Sequence, residues 1–272
     1  MSFAAFQLMP TQAVVVSYNG AGFNAIPLLS GTARPVVSGS APFLKGPFVE
    51  VAASLPFTTS RVKLSTEESP TNTEQLISIA IGEAGQEVVV VPDIPLRTDY
   101  SRPVDIPLKI PRGARVSIQS QSAHTSAISV PWSLSFVPEG PRTPAGFPRW
   151  TILNLNAADH TFPQLHPGGW GVRSAWMELV PSLPHDVPLL LASLHDNLTT
   201  FGGNSCIGSF GLGAAGSEVP VAHTSVVRTN GGLARLGGPT EIIGLNARRG
   251  QRLAYSAVSA GRPFGLVVHL PY

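Results

Sequence analysis

Apolar residues in this chain recur in short runs rather than at helical spacing. Residues 61–64, 76–81 and 87–91 form runs rich in β-branched side chains, and glycine, proline or asparagine separates each run from the next. No segment keeps a 3.6-residue period beyond two turns, and the best helical candidate, residues 188–195, is short. Short strands at spacings of about 8–12 residues with turn residues between them are typical of an all-β sandwich or barrel.

Glycine and proline refine the strand predictions. Residues 106–110 and 115–121 alternate apolar with polar positions, and Gly113 between them predicts a turn. Residues 92–103 contain three prolines, so we expect an edge strand or a loop there rather than a central strand. Residues 12–18 predict a strand, followed by a turn at Asn19-Gly20.

The pattern occurs twice along the chain. FVEVAASLPF from residue 48 matches WMELVPSLPH from residue 176, at an offset of 128. GEAGQEVVV from residue 82 matches GAAGSEVPV from residue 213, and IPLKIPRGARVSI from residue 106 matches IGLNARRGQRLAY from residue 243, at offsets of 131 and 137. The best-matched polar and glycine positions are Glu50 with Glu178, Gly113 with Gly250, and Arg115 with Arg252.

Copies about 130 residues long are too large for solenoid repeats and match the size of whole domains. We therefore predict two tandem antiparallel β-sandwich domains of jelly-roll-like type, at residues 29–140 and 141–272. Residues 138–148 hold four prolines and predict a semi-stiff linker. Residues 1–28 form an N-terminal extension that either docks into a neighbouring subunit or folds back on its own domain.

Composition narrows the function classes. Charged residues make up only 12% of the chain, against about 25% in an average soluble protein. Low charge with 43% hydrophobic residues predicts sizeable cores and surface buried against other subunits, so we expect a homo-oligomer. The net charge of +2 argues against nucleic acid as a partner, and no apolar stretch is long enough to cross a membrane.

The chain lacks the common signatures of catalysis. The seven histidines form no HxH or HExxH pair, the single cysteine excludes a multi-cysteine zinc site, and no nucleophile elbow, Walker loop or dinucleotide fingerprint occurs. The acids Glu50, Glu178, Glu87 and Glu218 recur at equivalent places in both copies. Their recurrence predicts a structural role, such as anchoring a corner or a loop amide. We therefore expect no catalytic residues, no metal, no cofactor and no enzymatic activity.

Binding is the more plausible chemistry. Trp170 and His166 both lie in HPGGWGV, residues 166–172, a glycine-flanked segment expected to be accessible. An aromatic face of this kind can stack on a sugar ring. We name Trp170 and His166 as candidate glycan contacts, with a buried plug at the domain junction as the alternative role for Trp170.

The order of the repeat blocks resembles a known family. GTARPVVSGSAPFLKGPFVEVAASLPF, followed by the GEAGQEVVV block and by IPLKIPRGARVSI, resembles small β-sandwich virion proteins of tailed bacteriophages and gene transfer agents. The resemblance covers residues 31–137 and, more weakly, 150–270, where Pro220, His223 and Arg248 depart from the pattern. It implies a virion location and no catalytic residue.

Two functions follow as hypotheses. The first is a structural tail, fibre or spike component of a phage-like virion, joined to other virion proteins through its N-terminal segment and able to contact host surface polysaccharide. The alternative is a free-standing carbohydrate-binding or carbohydrate-active β-sandwich protein.

Overall fold

The computed structural model describes most of the chain as β-strands. The described residues are 5–9, 12–15, 17–19, 23–27, 34–41, 43–66, 74–97, 104–122, 126–141, 145–153, 164–165, 172–196, 206–226, 240–259 and 264–272. No helix occurs among them, and residues 188–195, the best helical candidate, lie inside a strand. The predicted all-β class is therefore confirmed.

The chain forms two compact units, Met1–Trp150 with Tyr272 (unit 1) and Thr151–Pro271 (unit 2). The strands of the first half are β1 (Ala5–Met9), β2 (Gln12–Val15), β3 (Ser17–Asn19), β4 (Phe23–Pro27), β5 (Arg34–Val37), β6 (Val49–Ala52), β7 (Thr59–Thr66), β8 (Glu74–Ile81), β9 (Val88–Arg97), β10 (Val104–Ile106), β11 (Val116–Ser122) and β12 (Ser129–Pro138). The strands that follow are β13 (Trp150–Ile152), β14 (Gln164–Leu165), β15 (Met177–Val180), β16 (Val187–Asp196), β17 (Cys206–Leu212), β18 (Val219–Val226), β19 (Glu241–Ala247), β20 (Leu253–Ser259) and β21 (Phe264–Pro271).

Unit 1 has the strand order of a jelly roll. One sheet runs β10-β7-β12-β4-β3, with β5 also paired to β12, and the other runs β6-β11-β8-β9. Taking β5 to β12 as eight consecutive strands, the first, eighth, third and sixth share one sheet. The second, seventh, fourth and fifth share the other. Two four-stranded sheets in this order are the double-sheet arrangement of the jelly roll.

Unit 2 repeats that topology strand by strand. Its sheets run β13-β21-β16-β19, with β14 also paired to β21, and β15-β20-β17-β18. The strands β15 to β21 therefore correspond in order to β6 to β12, as the offsets between the sequence blocks predict. The tandem β-sandwich prediction is confirmed.

Alternating side chains build the core of each unit. In β19, Ile243, Leu245 and Ala247 are buried, while the residues between them are exposed. In unit 1, Leu64, Ile79 and Phe136 are fully buried. Each sheet therefore packs one face against the core, and the alternate side chains lie on its outer face.

Proline marks the sheet edges, as the sequence indicates. The strand β9 contains Pro92 and Pro95 and lies at the edge of its sheet. Its register against β8 shifts twice. The corresponding β18 is also an edge strand and carries Pro220. Because proline has no N–H to donate, it is tolerated at an edge and protects that edge from further pairing.

The strand predicted over residues 106–110 is wrong in extent. The strand β10 ends at Ile106, whereas the equivalent β19 continues to Ala247 and pairs with β16. Pro107 lacks the N–H that would extend the ladder, and unit 2 has Gly244 at that position. The Thr59 hydroxyl takes over, donating to Leu108 O at 2.8 Å and accepting from Ile110 N at 2.9 Å.

The structure places the division between the units after Trp150, ten residues beyond the predicted boundary at residue 140. Trp150 is buried, and its ring meets Phe147 edge to face at 5.7 Å. Its Nε1 donates to Pro107 O at 3.1 Å. These contacts are made within unit 1, to which Trp150 belongs.

The N-terminal segment adds strands to unit 1 of its own chain. The strand β4 pairs with β12, and β3 pairs with β4 in a hairpin in which Asn19 lies opposite Phe23. The chain therefore reverses where the turn at Asn19-Gly20 is predicted. Folding back on the same unit is the arrangement in the structure, and docking of residues 1–28 into another subunit stays a proposal.

Candidate binding face

The best-matched polar residues of the two copies form the same three-residue ion cluster, which we call the clamp. In unit 1, Arg115 Nε donates to Glu50 at 2.8 Å and Nη1 donates to Glu87 at 3.0 Å. In unit 2, Arg252 Nε donates to Glu178 at 2.7 Å and Nη1 donates to Glu218 at 2.6 Å. The arginine and the second glutamate are largely buried in both units.

The clamp favours the charged forms of its arginine and of its second glutamate. Hydrogen bonding to Glu178 and then Glu218 raises the pKa of Arg252. The pKa of Glu87 lies below its usual range because its own amide N–H, then Arg115 and Gly85 N–H, donate to the carboxylate, while burial opposes the shift. For Glu218, burial is the largest influence and raises the pKa, but Arg252 and the backbone amides together lower it further.

Glycines at matched positions support each clamp. Gly82 and Gly213 have φ of +120° and +125°, and Gly85 and Gly216 both have φ of +81°. In the first copy the turn closes with Gln86 N donating to Glu83 O at 3.0 Å, and Gly85 N donates to Glu87 Oε2 at 2.8 Å. Glu87 therefore anchors a loop amide, and the clamp is occupied by its own partners rather than open to a substrate.

A different arrangement lies on the outer face of the sheet β15-β20-β17-β18. Along β17, Phe210 turns to the core, so Ser209 and Gly211 face outward. The half-buried Trp176 lies across Gly211, where an added Cβ would come within 2.6 Å of the indole ring. Ala254 pairs with Gly211 on β20. Gly211 thus provides the floor on which the ring rests.

Beside Trp176 lies a hydrogen-bonded network of three polar side chains. Arg173 Nη1 donates to Ser209 Oγ at 2.8 Å and approaches Ser256 O at 3.5 Å. Ser209 Oγ lies 2.9 Å from His223 Nδ1. Because Arg173 can only donate, the serine oxygen accepts from it and the serine proton is free to reach the imidazole. Arg173 and His223 are exposed.

The serine and histidine are not arranged as a catalytic pair. Ser209 is fully buried, and its oxygen already accepts from Arg173. An activated serine needs an accessible oxygen and a base oriented by a third group. Within the described residues no carboxylate contacts His223, so the network positions donors at a surface rather than a nucleophile.

Together these groups form what we call the outer face of unit 2: Trp176, Arg173, Ser209 and His223. Exposed apolar side chains border it, including Val172, Ile207 and Val221, which are 58%, 54% and 41% exposed. An aromatic ring, fixed polar donors and an apolar border are the components of a surface that binds a ligand with one apolar and one polar side.

The predicted and the observed site residues differ. Trp170 and His166, the predicted glycan contacts, lie outside the described residues. Sequence reasoning missed Trp176, Arg173, Ser209 and His223 as a group. The sequence does contain one signal for this group. The offset of 128 relates Arg173 to Lys45, and the offset of 131 relates Ser209 to Ser78. Polar residues therefore recur at these positions in both copies, where the copies otherwise differ.

Two further site types are absent from the part of the chain that the structure describes. It holds no group of three or more histidine, cysteine, aspartate or glutamate side chains arranged to hold a metal ion. It also holds no helix long and apolar enough to pass through a membrane.

Comparisons with known proteins identify no family. No family model and no curated protein matches the chain. Among solved structures, PNGF-II aligns over 93% of this chain at 11% identity with a TM-score of 0.43, and this chain spans 65% of the length of PNGF-II. The tandem CBM22-1-CBM22-2 domains of Xyn10C from Paenibacillus barcinonensis align over 99% of this chain and 93% of theirs, at 11% identity and a TM-score of 0.24. Scores this low assign no function.

Proposed function

We propose that this protein is a non-catalytic carbohydrate-binding protein of tandem β-sandwich type, and that the outer face of unit 2 holds the sugar. The observation that carries the proposal is Trp176, a half-buried indole whose six-membered ring lies against Gly211, beside the exposed Arg173 and His223. A sugar ring presents an apolar face that stacks on an aromatic ring and hydroxyls that need fixed hydrogen-bonding partners.

The floor under the ring supports a binding role over simple core packing. Gly211 has no side chain, so the indole lies close to the backbone of β17 and stays half-buried. A stacking ring is useful only if its position is fixed, because preorganised contacts spend less binding energy on ordering side chains. The Arg173–Ser209 hydrogen bond fixes the neighbouring polar group in the same way.

A glycan array probed with the intact chain, followed by calorimetry on the glycans it retains, tests the proposal. Trp176→Ala should weaken binding at least about tenfold, the usual cost of losing a central aromatic contact. Gly211→Ala should also weaken it, because the new Cβ displaces the ring without removing it.

Phe48→Ala is the matched control, since Phe48 occupies the position in unit 1 that Trp176 occupies in unit 2. It should leave the affinity unchanged. Equal losses from Phe48→Ala and Trp176→Ala, or no retained glycan at millimolar concentration, would show that the outer face of unit 2 is not a carbohydrate site.

A second candidate, a structural role in a phage-like virion, is favoured by a separate observation. The sheet of unit 1 ends at β3, a short strand that pairs on one side only among the described residues, so another chain could pair with its other edge. The resemblance of residues 31–137 to virion β-sandwich proteins supports the same role, and a surface spike can also bind host polysaccharide. We propose residues 1–28 as the segment that joins other virion proteins.

Deleting residues 1–28 tests this second role. The truncated chain should fall out of purified particles, as measured by mass spectrometry, while thermal unfolding confirms that it stays folded. A folded truncated chain that enters particles at the normal level would rule out docking through this segment.

A further inference from the structure

The outer faces of the two units carry equivalent networks with different charge. Arg173 corresponds to Lys45, since the backbone beside each is held alike: Gly46 N donates to Ser120 O at 2.9 Å, and Ser174 N donates to Ala257 O at 2.8 Å. Ser209 corresponds to Ser78 by the offset of 131. The two networks thus share a base and a serine.

In unit 1 an acid neutralises the base. Asp93, which is 7% exposed, lies 3.2 Å from Lys45 Nζ. The same carboxylate oxygen accepts from Ser78 at 2.9 Å and from Gln121 at 3.2 Å. Lys45 therefore has its counter-ion within the fold, and this network presents little net charge to an incoming ligand.

In unit 2 no described acid contacts this network, and His223 lies next to the serine instead. Among the residues that the structure describes, Arg173 contacts two uncharged groups, Ser209 Oγ and Ser256 O, and both contacts use Nη1. Its Nε and Nη2 make no hydrogen bond to any described residue. The guanidinium is thus held from one side, while its remaining donors stay available for a planar, two-pronged contact with an anion.

The cation lies within reach of the stacking ring. Trp176 rests on Gly211, and Arg173 bonds to Ser209, two residues along the same face of β17. Two residues of strand span about 7 Å. One sugar residue can therefore contact both groups. The acids of the nearby clamp, Glu178 and Glu218, are already paired with Arg252.

We propose that the outer face of unit 2 selects acidic sugars, with a uronate ring on Trp176 and its carboxylate paired with Arg173. This inference rests on the proposed carbohydrate-binding function and adds the class of sugar. Unit 1, whose equivalent lysine is already neutralised by Asp93, lacks this selectivity.

The test compares uronate oligosaccharides (galacturonan, mannuronan, guluronan and hyaluronan) with their carboxyl-reduced forms, which keep the ring and linkage but lose the charge. At least one uronate should bind the intact chain, and its carboxyl-reduced form should bind at least about tenfold more weakly, as expected for a charge-assisted hydrogen bond. Arg173→Gln should remove that preference, and Arg173→Lys should restore only part of it because lysine cannot make the two-pronged contact.

Arg248→Gln is the charge-matched control, because Arg248 is an exposed arginine of unit 2 outside the outer face, and it should change nothing. Equal binding of acid and reduced forms, or of neutral glycans alone, would overturn the acidic-sugar inference and leave carbohydrate binding intact. Equal competition by dextran sulfate would overturn it in favour of unspecific charge attraction. If nothing on either panel bound, the proposed function itself would fail.

Discussion

At the scale of single residues, the duplication preserves backbone conformation more closely than side chains. Gly113 and Gly250 end the matched turns with the same φ of +85°, and open space surrounds the position of an added Cβ at both. Glycine is therefore required by the left-handed backbone and not by crowding. The sequence reveals this requirement, because two glycines recur at the same place in two diverged copies.

Gly250→Ala should destabilise the protein by about 1 kcal/mol, the cost of holding a side chain in the left-handed region. Denaturant unfolding of the variant measures the loss. Gly244→Ala is the control, since Gly244 also has open space around it and its φ is not positive. A neutral Gly250→Ala, or an equal loss from Gly244→Ala, would contradict the backbone explanation.

The contact between Trp176 and Gly211 could not be predicted in the same way. The two residues lie 35 positions apart, Trp176 just before β15 and Gly211 on β17 with β20 between these strands, so their meeting depends on sheet order and register. Local periodicity contains no information about which residues face one another across three strands.

Among the strands, β10 of unit 1 is shorter than its counterpart β19 of unit 2. The sequence contains the cause, a proline, but does not by itself predict the difference. Pro107 ends β10, while the corresponding β19 continues past Gly244 to Ala247. The alternation of residues 106–110 predicts a strand, and Ile106, Leu108 and Ile110 are indeed buried. The side-chain pattern is thus kept without a continuous ladder, and the Thr59 hydroxyl holds this segment through Leu108 O and Ile110 N.

Thr59→Val should therefore destabilise unit 1 by about 1–3 kcal/mol, the cost of leaving a buried carbonyl and a buried N–H without partners. Thr59 is fully buried, and valine keeps its shape while removing the hydroxyl. Thermal unfolding by circular dichroism measures the change, and Thr59→Ser, which keeps the hydroxyl, should lose less. If valine were tolerated as well as serine, the hydroxyl would not be replacing the ladder.

At the scale of the whole molecule, the sequence predicts the architecture well and the candidate site poorly. The three offsets imply two domains of one topology, and both units have the jelly-roll order. The outer face of unit 2 arises where the copies diverge, since Asp93 in one network is replaced by His223 in the other. Divergence between copies marks candidate positions, but only the fold shows which of them lie together.

The two clamps make the stability of the whole molecule depend on acid pH. The folded pKa values of Glu87 and Glu218 lie below their usual range, so the folded state binds fewer protons than the unfolded state in that window. Their contribution is therefore complete above the unfolded glutamate pKa of about 4.3 and is lost as the pH falls through the lowered folded values. The free energy of unfolding should fall as the pH drops below about 4.3.

The double variant Glu87→Gln, Glu218→Gln isolates this contribution. It should be less stable than the parent at pH 7, and the difference should shrink as the pH falls below about 4.3, where the glutamates of the unfolded parent take up protons before the folded ones do. Denaturant unfolding at a series of pH values measures the difference. Glu83→Gln, an exposed glutamate on the same turn as Glu87, should change stability by less than about 0.5 kcal/mol. A difference that stayed constant between pH 3 and pH 7 would mean that the clamps act through packing alone and that their charges contribute nothing to the fold.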